Sequence, residues 1–311
     1  MGISALLKNY LDYLEIEKNR TIKTRQNYER YLIAFFDFAE IKTEKDITLE
    51  AVKNFRLRLA RAKNNRGEIL KRNTQSYYVI AIRNFLKYLI KNDYEALSPD
   101  KIELPKIPDR QIKIMEYKDM ERLLEAPKGD DLRSLRDKAI LEILFSTGMR
   151  ISELCGLSRY FDIARGEITV RGKGDKLRVV FLSERAKKAV KNYLAKRNDA
   201  EEALFISLTK GKKFLSVGRQ AKIIGRIIPR AVQRLVDYYS RKAGIPEHVT
   251  AHQLRHQFAT DLLIGGADLR SVQKLLGHAN ISTTQIYTHL TDKELKEIHQ
   301  AFHGRRRGAN H

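Results

Sequence analysis

The spacing of apolar residues over positions 1 to 95 constrains the fold most, because it is helical throughout. Between Thr21 and Glu40 the apolar side chains recur at i, i+3, i+4, i+7 and i+11, which places them on one face of a helix. The stretches Ser4 to Lys18, Thr48 to Ala62 and Asn73 to Lys91 are predicted to be helices of the same kind. Four amphipathic helices can share one core, so the sequence predicts a small helical bundle.

A proline-rich segment follows these helices. Three of the six prolines lie between Ser98 and Arg110. Proline fixes its own φ angle and disfavours helix at the residue before it, so this segment is predicted to be an extended, semi-rigid linker. One hydrophobic core usually organises ~100–150 residues. We therefore expect two domains, residues 1–97 and 111–311, joined by the linker 98–110.

The second domain combines helical spacing with one pair of predicted strands. A short β-branched run, Glu167 to Arg171, and a second run, Lys176 to Leu182, flank the glycine-rich turn Gly172-Lys-Gly-Asp175, which predicts a β-hairpin. The expected fold class is mainly α: a helical bundle followed by a mixed, mostly helical domain with a small antiparallel sheet. Further helices are predicted at Asp131–Ser146, Pro229–Ala243, Ala251–Leu263 and Leu269–Leu276.

The charge of the chain indicates its partner. There are 60 Lys and Arg residues against 38 Asp and Glu, a net charge of +22 at pH 7. Residues 1–110 hold 22 basic and 15 acidic residues, and residues 111–311 hold 38 and 23. An excess spread over both predicted domains favours nucleic acid over an acidic membrane or simple solubility.

Other features of the sequence narrow the class of protein. No apolar run reaches the ~18 residues of a membrane helix, and the N-terminus lacks the basic start and long apolar core of a secretion signal. A single cysteine, Cys155, excludes an internal disulfide and a multi-cysteine zinc module. We therefore expect a cytoplasmic protein without a membrane partner.

Five short motifs follow one another in the second half of the chain. They are Thr147-Gly-Met-Arg150-Ile-Ser-Glu-Leu154, Gly172-Lys173-Gly174, His252-Gln-Leu-Arg255-His256, Leu276-Gly277-His278 and Ile286-Tyr287-Thr288-His289. In this order and spacing they resemble the signature of the tyrosine site-specific recombinases, also called phage integrases, and are most similar to the bacterial Xer branch. The resemblance implies a SAM-like core-binding domain at residues 1–97 and a catalytic domain at 111–311 that ends in an exchange tail.

Phosphodiester cleavage independently requires some of these residue types. In-line displacement concentrates negative charge on the non-bridging oxygens, so an enzyme without a metal must supply fixed cations there. Arg150 and Arg255 suit this role, because guanidinium is planar, always charged and able to bind phosphate with two donors. Taken alone, each arginine is more often a salt-bridge or solvated residue, and only the motifs favour catalysis. His252 lies three residues before Arg255, on the same face of a predicted helix.

The resemblance assigns a role to each remaining site residue. Tyr287 would be the nucleophile, forming a 3′-phosphotyrosyl intermediate and a free 5′-hydroxyl. Lys173, at the hairpin tip, would protonate the departing 5′ oxygen, His252 would assist proton movement and His278 would donate a hydrogen bond to the phosphate. Ser282-Thr-Thr-Gln285 has the form of a capping box and predicts a helix that carries Tyr287. Since the phosphotyrosyl bond keeps the energy for resealing, no ATP or other cofactor is expected.

The resemblance also implies the partners and the role. It implies a double-stranded DNA recombination site, a homo- or hetero-tetramer on two duplexes, the two domains closing on DNA as a C-shaped clamp, and a DNA translocase as a further partner. Xer-like resolution of DNA dimers, which serves chromosome partition, is the favoured role. Integration or excision of a mobile element, a type IB topoisomerase-like activity and a DNA binder with vestigial catalytic residues remain as alternatives.

A zinc site is a rival interpretation of the histidines. His248, His252 and His256 are spaced by four and could line one helix face. The predicted helix starts near Thr250, however, which leaves His248 outside it, and the sequence has no His-Glu-x-x-His pattern. We therefore expect no metal site, and interpret His256 and His289 as structural supports.

Overall fold

The computed structural model describes residues 2–63, 67–105, 115–172, 177–209 and 223–277. The chain divides into two compact units, Met1–Gln111 and Ile112–His311. Across the described ranges, no helix has both the length and the apolar character needed to cross a membrane.

The first unit contains the four predicted helices, each ending within two residues of the expected position. Thr21 and Thr48 precede the second and third helices, and each side chain accepts a hydrogen bond from a backbone N–H of the first turn. The helices are α1 Ile3–Ile16, α2 Ile22–Ala39, α3 Leu49–Arg61 and α4 Arg72–Lys91, with short 3-10 turns at Glu44–Asp46 and Pro99–Lys101.

Aromatic side chains fill the core of this bundle. Phe35, Phe55 and Phe85 are 0–2% exposed, and the rings of Phe35 and Phe55 lie 5.2 Å apart. Burial of one such side chain contributes about 1.5–3 kcal/mol, so α2, α3 and α4 are held mainly by these contacts. The apolar stripe of α2 faces this core, as its spacing predicts.

The linker prediction is wrong for part of its length. Pro99–Lys101 form a 3-10 turn instead of extended chain, and Ile102 is 1% exposed in the core of the first unit. Burial of this isoleucine favours the turn, because a free extended segment would leave its side chain in water. Residues 106–110 of the predicted linker lie outside the described residues.

The second unit is built around one buried helix. Nine of the sixteen residues of helix α6 are buried, including the charged residues Arg136, Asp137 and Glu142. Arg136 donates to the carboxylate of Asp137 and to the carbonyl of Ile206, which satisfies the buried guanidinium. The helices are α5 Tyr117–Glu125, α6 Leu132–Thr147, α7 Ile151–Gly156, α8 Glu184–Ala195, α9 Pro229–Lys242, α10 Ala251–Ile264 and α11 Leu269–Leu276.

Two small antiparallel sheets complete the second unit. Strands β1 Glu167–Arg171 and β2 Leu177–Phe181 form the predicted hairpin, with Arg171 opposite Leu177. Strands β3 Ile206–Leu208 and β4 Ile223–Arg226 form a second sheet that the sequence analysis did not predict. The expected fold class, a mainly helical chain with a small antiparallel sheet, is confirmed.

Candidate active site

A tight turn between α6 and α7 carries Arg150. Thr147 ends α6, and Gly148 caps it in the left-handed region at φ +57°. A Cβ at Gly148 would lie 2.3 Å from the ring of Phe258, so only glycine fits there. Arg150 then occupies the position before α7, and its backbone N–H donates to the carboxylate of Glu153 at 2.8 Å. This turn fixes the direction in which the side chain of Arg150 leaves the backbone.

Helix α10 carries the next two site residues. It begins at a capping box in which Thr250 and Gln253 exchange hydrogen bonds. His252 lies at the surface of the first turn, whereas Arg255 is 2% exposed. Arg255 donates to the carbonyl of Gly148 at 2.7 Å. The guanidinium of Arg255 therefore lies beneath the turn that carries Arg150.

Three arginines converge on the last turn of α11. Each donates to one of three successive carbonyls. The last carbonyls of a helix have no partner within the helix, and they lie at the negative end of its dipole, so they attract guanidinium groups. The bonds join Arg178 Nε to Leu275 O at 3.0 Å, Arg255 Nη2 to Leu276 O at 2.7 Å and Arg150 Nη2 to Gly277 O at 3.3 Å. These bonds fix the last turn of α11.

Glu153 and Arg178 are site residues that the sequence analysis did not assign. Glu153 is 3% exposed and accepts hydrogen bonds from the side chains of both Arg150 and Arg178. Glu153 lies inside the first motif, Thr147 to Leu154, and this position could have indicated that it belongs to the site. Arg178 follows the predicted hairpin turn closely, but no pattern in the sequence marks its side chain as buried.

Two groups in the site have shifted pKa values. Burial alone raises the pKa of Glu153, but the donors of Arg178 and Arg150 outweigh burial and hold this pKa below its usual value. The carboxylate is therefore ionised at neutral pH. The pKa of His252 is lowered, first because the surrounding protein removes part of its hydration and then by the positive charges of Arg255 and Arg150. His252 is therefore neutral at pH 7 and able to accept a proton.

The structure describes only some of the expected site residues. It brings Arg150 and Arg255 together at the end of α11, and their charges reach His252. Lys173, His278 and Tyr287 lie outside the described residues, as does His289.

The histidines of the zinc interpretation are arranged differently from metal ligands. His248 precedes α10, outside the helix, and its Nδ1 lies 3.2 Å from a carboxylate oxygen of Asp237. The rings of His252 and His256 pack edge to face with centroids 4.3 Å apart. Within the part of the chain that the structure describes, no three His, Cys, Asp or Glu side chains form a group suited to a metal.

Comparisons with known proteins agree with this fold. The description "Phage integrase family" matches residues 113–294, and "Phage integrase, N-terminal SAM-like domain" matches residues 7–93. The chain therefore belongs to the phage integrase family, the tyrosine recombinases, and the enzyme class expected from the five motifs is confirmed.

The chain is similar to recombinases of the Xer branch. The chain is 36% identical to tyrosine recombinase XerC of Thermodesulfovibrio yellowstonii over 96% of this chain and 95% of the relative. It is 35% identical to tyrosine recombinase XerC of Escherichia coli, covering 96% of both. The crystal structure of XerA recombinase aligns with a TM-score of 0.52 at 30% identity, covering 96% of this chain and 98% of the other.

Proposed function

We propose that this enzyme performs site-specific recombination between two DNA duplexes, by cleavage and rejoining through Tyr287. The observation that carries the proposal is that Arg150 and Arg255 meet at the end of α11, with His252 near enough for both charges to lower its pKa. Two guanidinium groups beside a neutral imidazole can hold a phosphodiester and take up a proton. The sequence match to the phage integrase family extends to residue 294 and so includes Tyr287.

The proposed cleavage step is balanced without a metal or a nucleotide. The phenolic oxygen of Tyr287 attacks phosphorus, and a new phosphotyrosyl bond forms as the bond from phosphorus to the 5′ oxygen breaks. His252 assists removal of the phenolic proton, and Lys173 gives a proton to the departing 5′ oxygen. Arg150 and Arg255, with His278, bind the non-bridging oxygens, where negative charge accumulates. Attack by the 5′-hydroxyl of the partner strand reverses the sequence and releases Tyr287.

The biological role that we propose is Xer-like resolution of DNA dimers, in the cytoplasm. Two XerC relatives match over nearly their whole length, which supports this role over integration of a mobile element. The basic excess in residues 1–110 and in residues 111–311 supports binding of the duplex by both parts of the chain. A tetramer on two duplexes and a DNA translocase as a partner belong to the same proposal.

Trapping the covalent intermediate tests the proposal. Genomic fragments of the source organism would be incubated with the protein, denatured and sequenced where protein remains attached. A nicked duplex with the recovered sequence would then be compared with a scrambled duplex. We expect a covalent adduct on denaturing gels with the recovered sequence only. Equal adduct on both duplexes would contradict site-specific recombination and favour a type IB topoisomerase.

A matched pair of variants tests the nucleophile. Tyr287→Phe removes one oxygen and keeps the ring, so DNA binding should persist while the adduct disappears. Tyr238→Phe is the control, because Tyr238 is 57% exposed on α9 and has no role in the proposed chemistry. The control should form adduct at the wild-type rate. An adduct formed by Tyr287→Phe would show that another residue is the nucleophile.

A further inference from the structure

Arg178 joins the separate parts of the candidate site. It lies on β2, directly after Leu177, and its side chain is 11% exposed. Its Nη1 and Nη2 donate to the two carboxylate oxygens of Glu153 at 2.9 and 2.7 Å, and its Nε donates to the carbonyl of Leu275 at 3.0 Å. One side chain thus connects the hairpin, the start of α7 and the end of α11.

The carboxylate of Glu153 transmits this connection to Arg150. One oxygen accepts from the side chains of both arginines, and the other accepts from the side chain of Arg178 and the backbone N–H of Arg150. Four donors therefore surround a carboxylate that is 3% exposed. Glu153 therefore links the position of Arg178 to that of the Arg150 guanidinium.

Stability alone does not explain an arginine at this position. Strand β2 exposes Leu177, Val179 and Phe181, at 64%, 41% and 54%, while Arg178 points inward together with Val180, which is 2% exposed. Burying a charged pair is costly, and well-packed apolar residues are often as stable in its place. The inward arginine is better explained by its hydrogen bonds, which hold Glu153 and the end of α11 in place.

We propose that Arg178 is a positioning residue for the cleavage step, directing Arg150 through Glu153 and fixing the last turn of α11. This inference rests on the proposed function. Gly277 packs over the same side chain, since a Cβ there would lie 3.1 Å from Cδ of Arg178. Lysine cannot replace the fork, because an ammonium group cannot bind both carboxylate oxygens and a carbonyl in one fixed plane.

The first test separates positioning from binding. Arg178→Lys keeps the charge and removes the fork, so single-turnover adduct formation should fall roughly 100-fold, the effect of misplacing a reacting group by about 1 Å. Affinity for the DNA site should remain within about twofold, because phosphate attraction depends mainly on charge. Arg226→Lys is the matched control: Arg226 donates to the carbonyls of Cys155 and Leu157 at the far end of α7. The control should change neither quantity.

A double-mutant cycle tests the route through Arg150. If Arg178 acts through Arg150, the double variant Arg150→Lys, Arg178→Lys should be little slower than Arg150→Lys alone. Arg226→Lys combined with Arg150→Lys should show independent effects. Multiplicative losses for the Arg150 and Arg178 pair would overturn the route through Arg150.

Two further comparisons keep the test decisive. If Arg178→Lys does not fold, Glu153→Gln breaks the same connection with almost no change of shape and should show the same loss. Wild-type adduct rates in either folded variant would overturn the positioning role while leaving the proposed function intact. No adduct with the wild-type protein on its own recovered DNA site would overturn both.

Discussion

Replacing Gly148 by alanine should destabilise the second unit in two separable ways. The residue has φ +57°, where an L side chain costs about 1–2 kcal/mol. The added Cβ would also lie 2.3 Å from Cδ1 of Phe258, and crowding of this kind costs about 1–3 kcal/mol. The free energy of unfolding should therefore fall by about 2–5 kcal/mol. For a unit of this size that corresponds to a decrease in Tm on the order of 10 °C.

A second glycine in the same unit isolates the backbone contribution. Gly244 has φ +68°, but the nearest atom to an added Cβ, Nη1 of Arg122, is 3.8 Å away. Gly244→Ala should therefore lose only about 1–2 kcal/mol. The two variants would be compared by denaturant unfolding with a probe in the second unit. Equal losses would refute the close packing of Gly148 against Phe258.

Removing the ring of Phe258 tests whether crowding causes the larger loss. With Phe258→Ala in the background, Gly148→Ala should cost no more than Gly244→Ala, because the crowding is gone. The carbonyl of Gly148 accepts from Arg255 at 2.7 Å. Gly148→Ala should therefore also slow adduct formation at temperatures where the protein stays folded, whereas Gly244→Ala should not.

Four further predictions follow from charge and chemistry. DNA affinity should fall steeply with salt, since each neutralised phosphate adds about −0.9 to the slope of log K against log salt; a slope near zero in a titration would contradict binding by the basic surface. Adduct formation should survive EDTA, and loss that zinc or magnesium restores would instead support a metal site at the histidines. Lys173→Ala should cleave slowly on normal DNA and recover on a substrate with sulfur at the bridging 5′ position, a better leaving group; failure of that substrate would remove Lys173 from the role of acid. The pKa of Glu153 is held below its usual 4.5, so the ionised carboxylate stabilises the fold fully above that pH. Glu153→Gln should therefore lower the free energy of unfolding by its full amount above pH 4.5 and by less as the pH falls further, as measured by unfolding at several pH values.

The helices could be predicted because their apolar residues repeat over many turns. The apolar stripe of α2 that contains Leu32 and Phe35 spans more than three turns, and a repeat of that length predicts which face is buried. Strands β3 and β4 have three and four residues, and their partners are separated by residues 209–222. Alternation over so few positions is indistinguishable from chance, so the second sheet could not be predicted from local pattern.

The site could be predicted by residue type but not by depth or connection. The motifs name Arg150, His252 and Arg255, yet nothing in them indicates that Arg255 is buried and His252 is at the surface. Alternation in β2 would place Arg178 in solvent, because its neighbours Leu177 and Val179 are apolar, and the structure has the opposite arrangement. The face of a strand is decided by tertiary contacts, here with Glu153 and α11, which the strand's own sequence does not contain.

The three arginines at the end of α11 have a consequence for how the protein is made. Their partners are 127, 97 and 21 residues away along the chain. A nascent chain that stops before Leu275 carries all three guanidinium groups but none of these three carbonyls at the end of α11. Long-range contacts also form late in folding, because loop closure must come first. The earlier helices are therefore synthesised well before these three arginines can be aligned, and we expect this alignment to be among the last steps of folding.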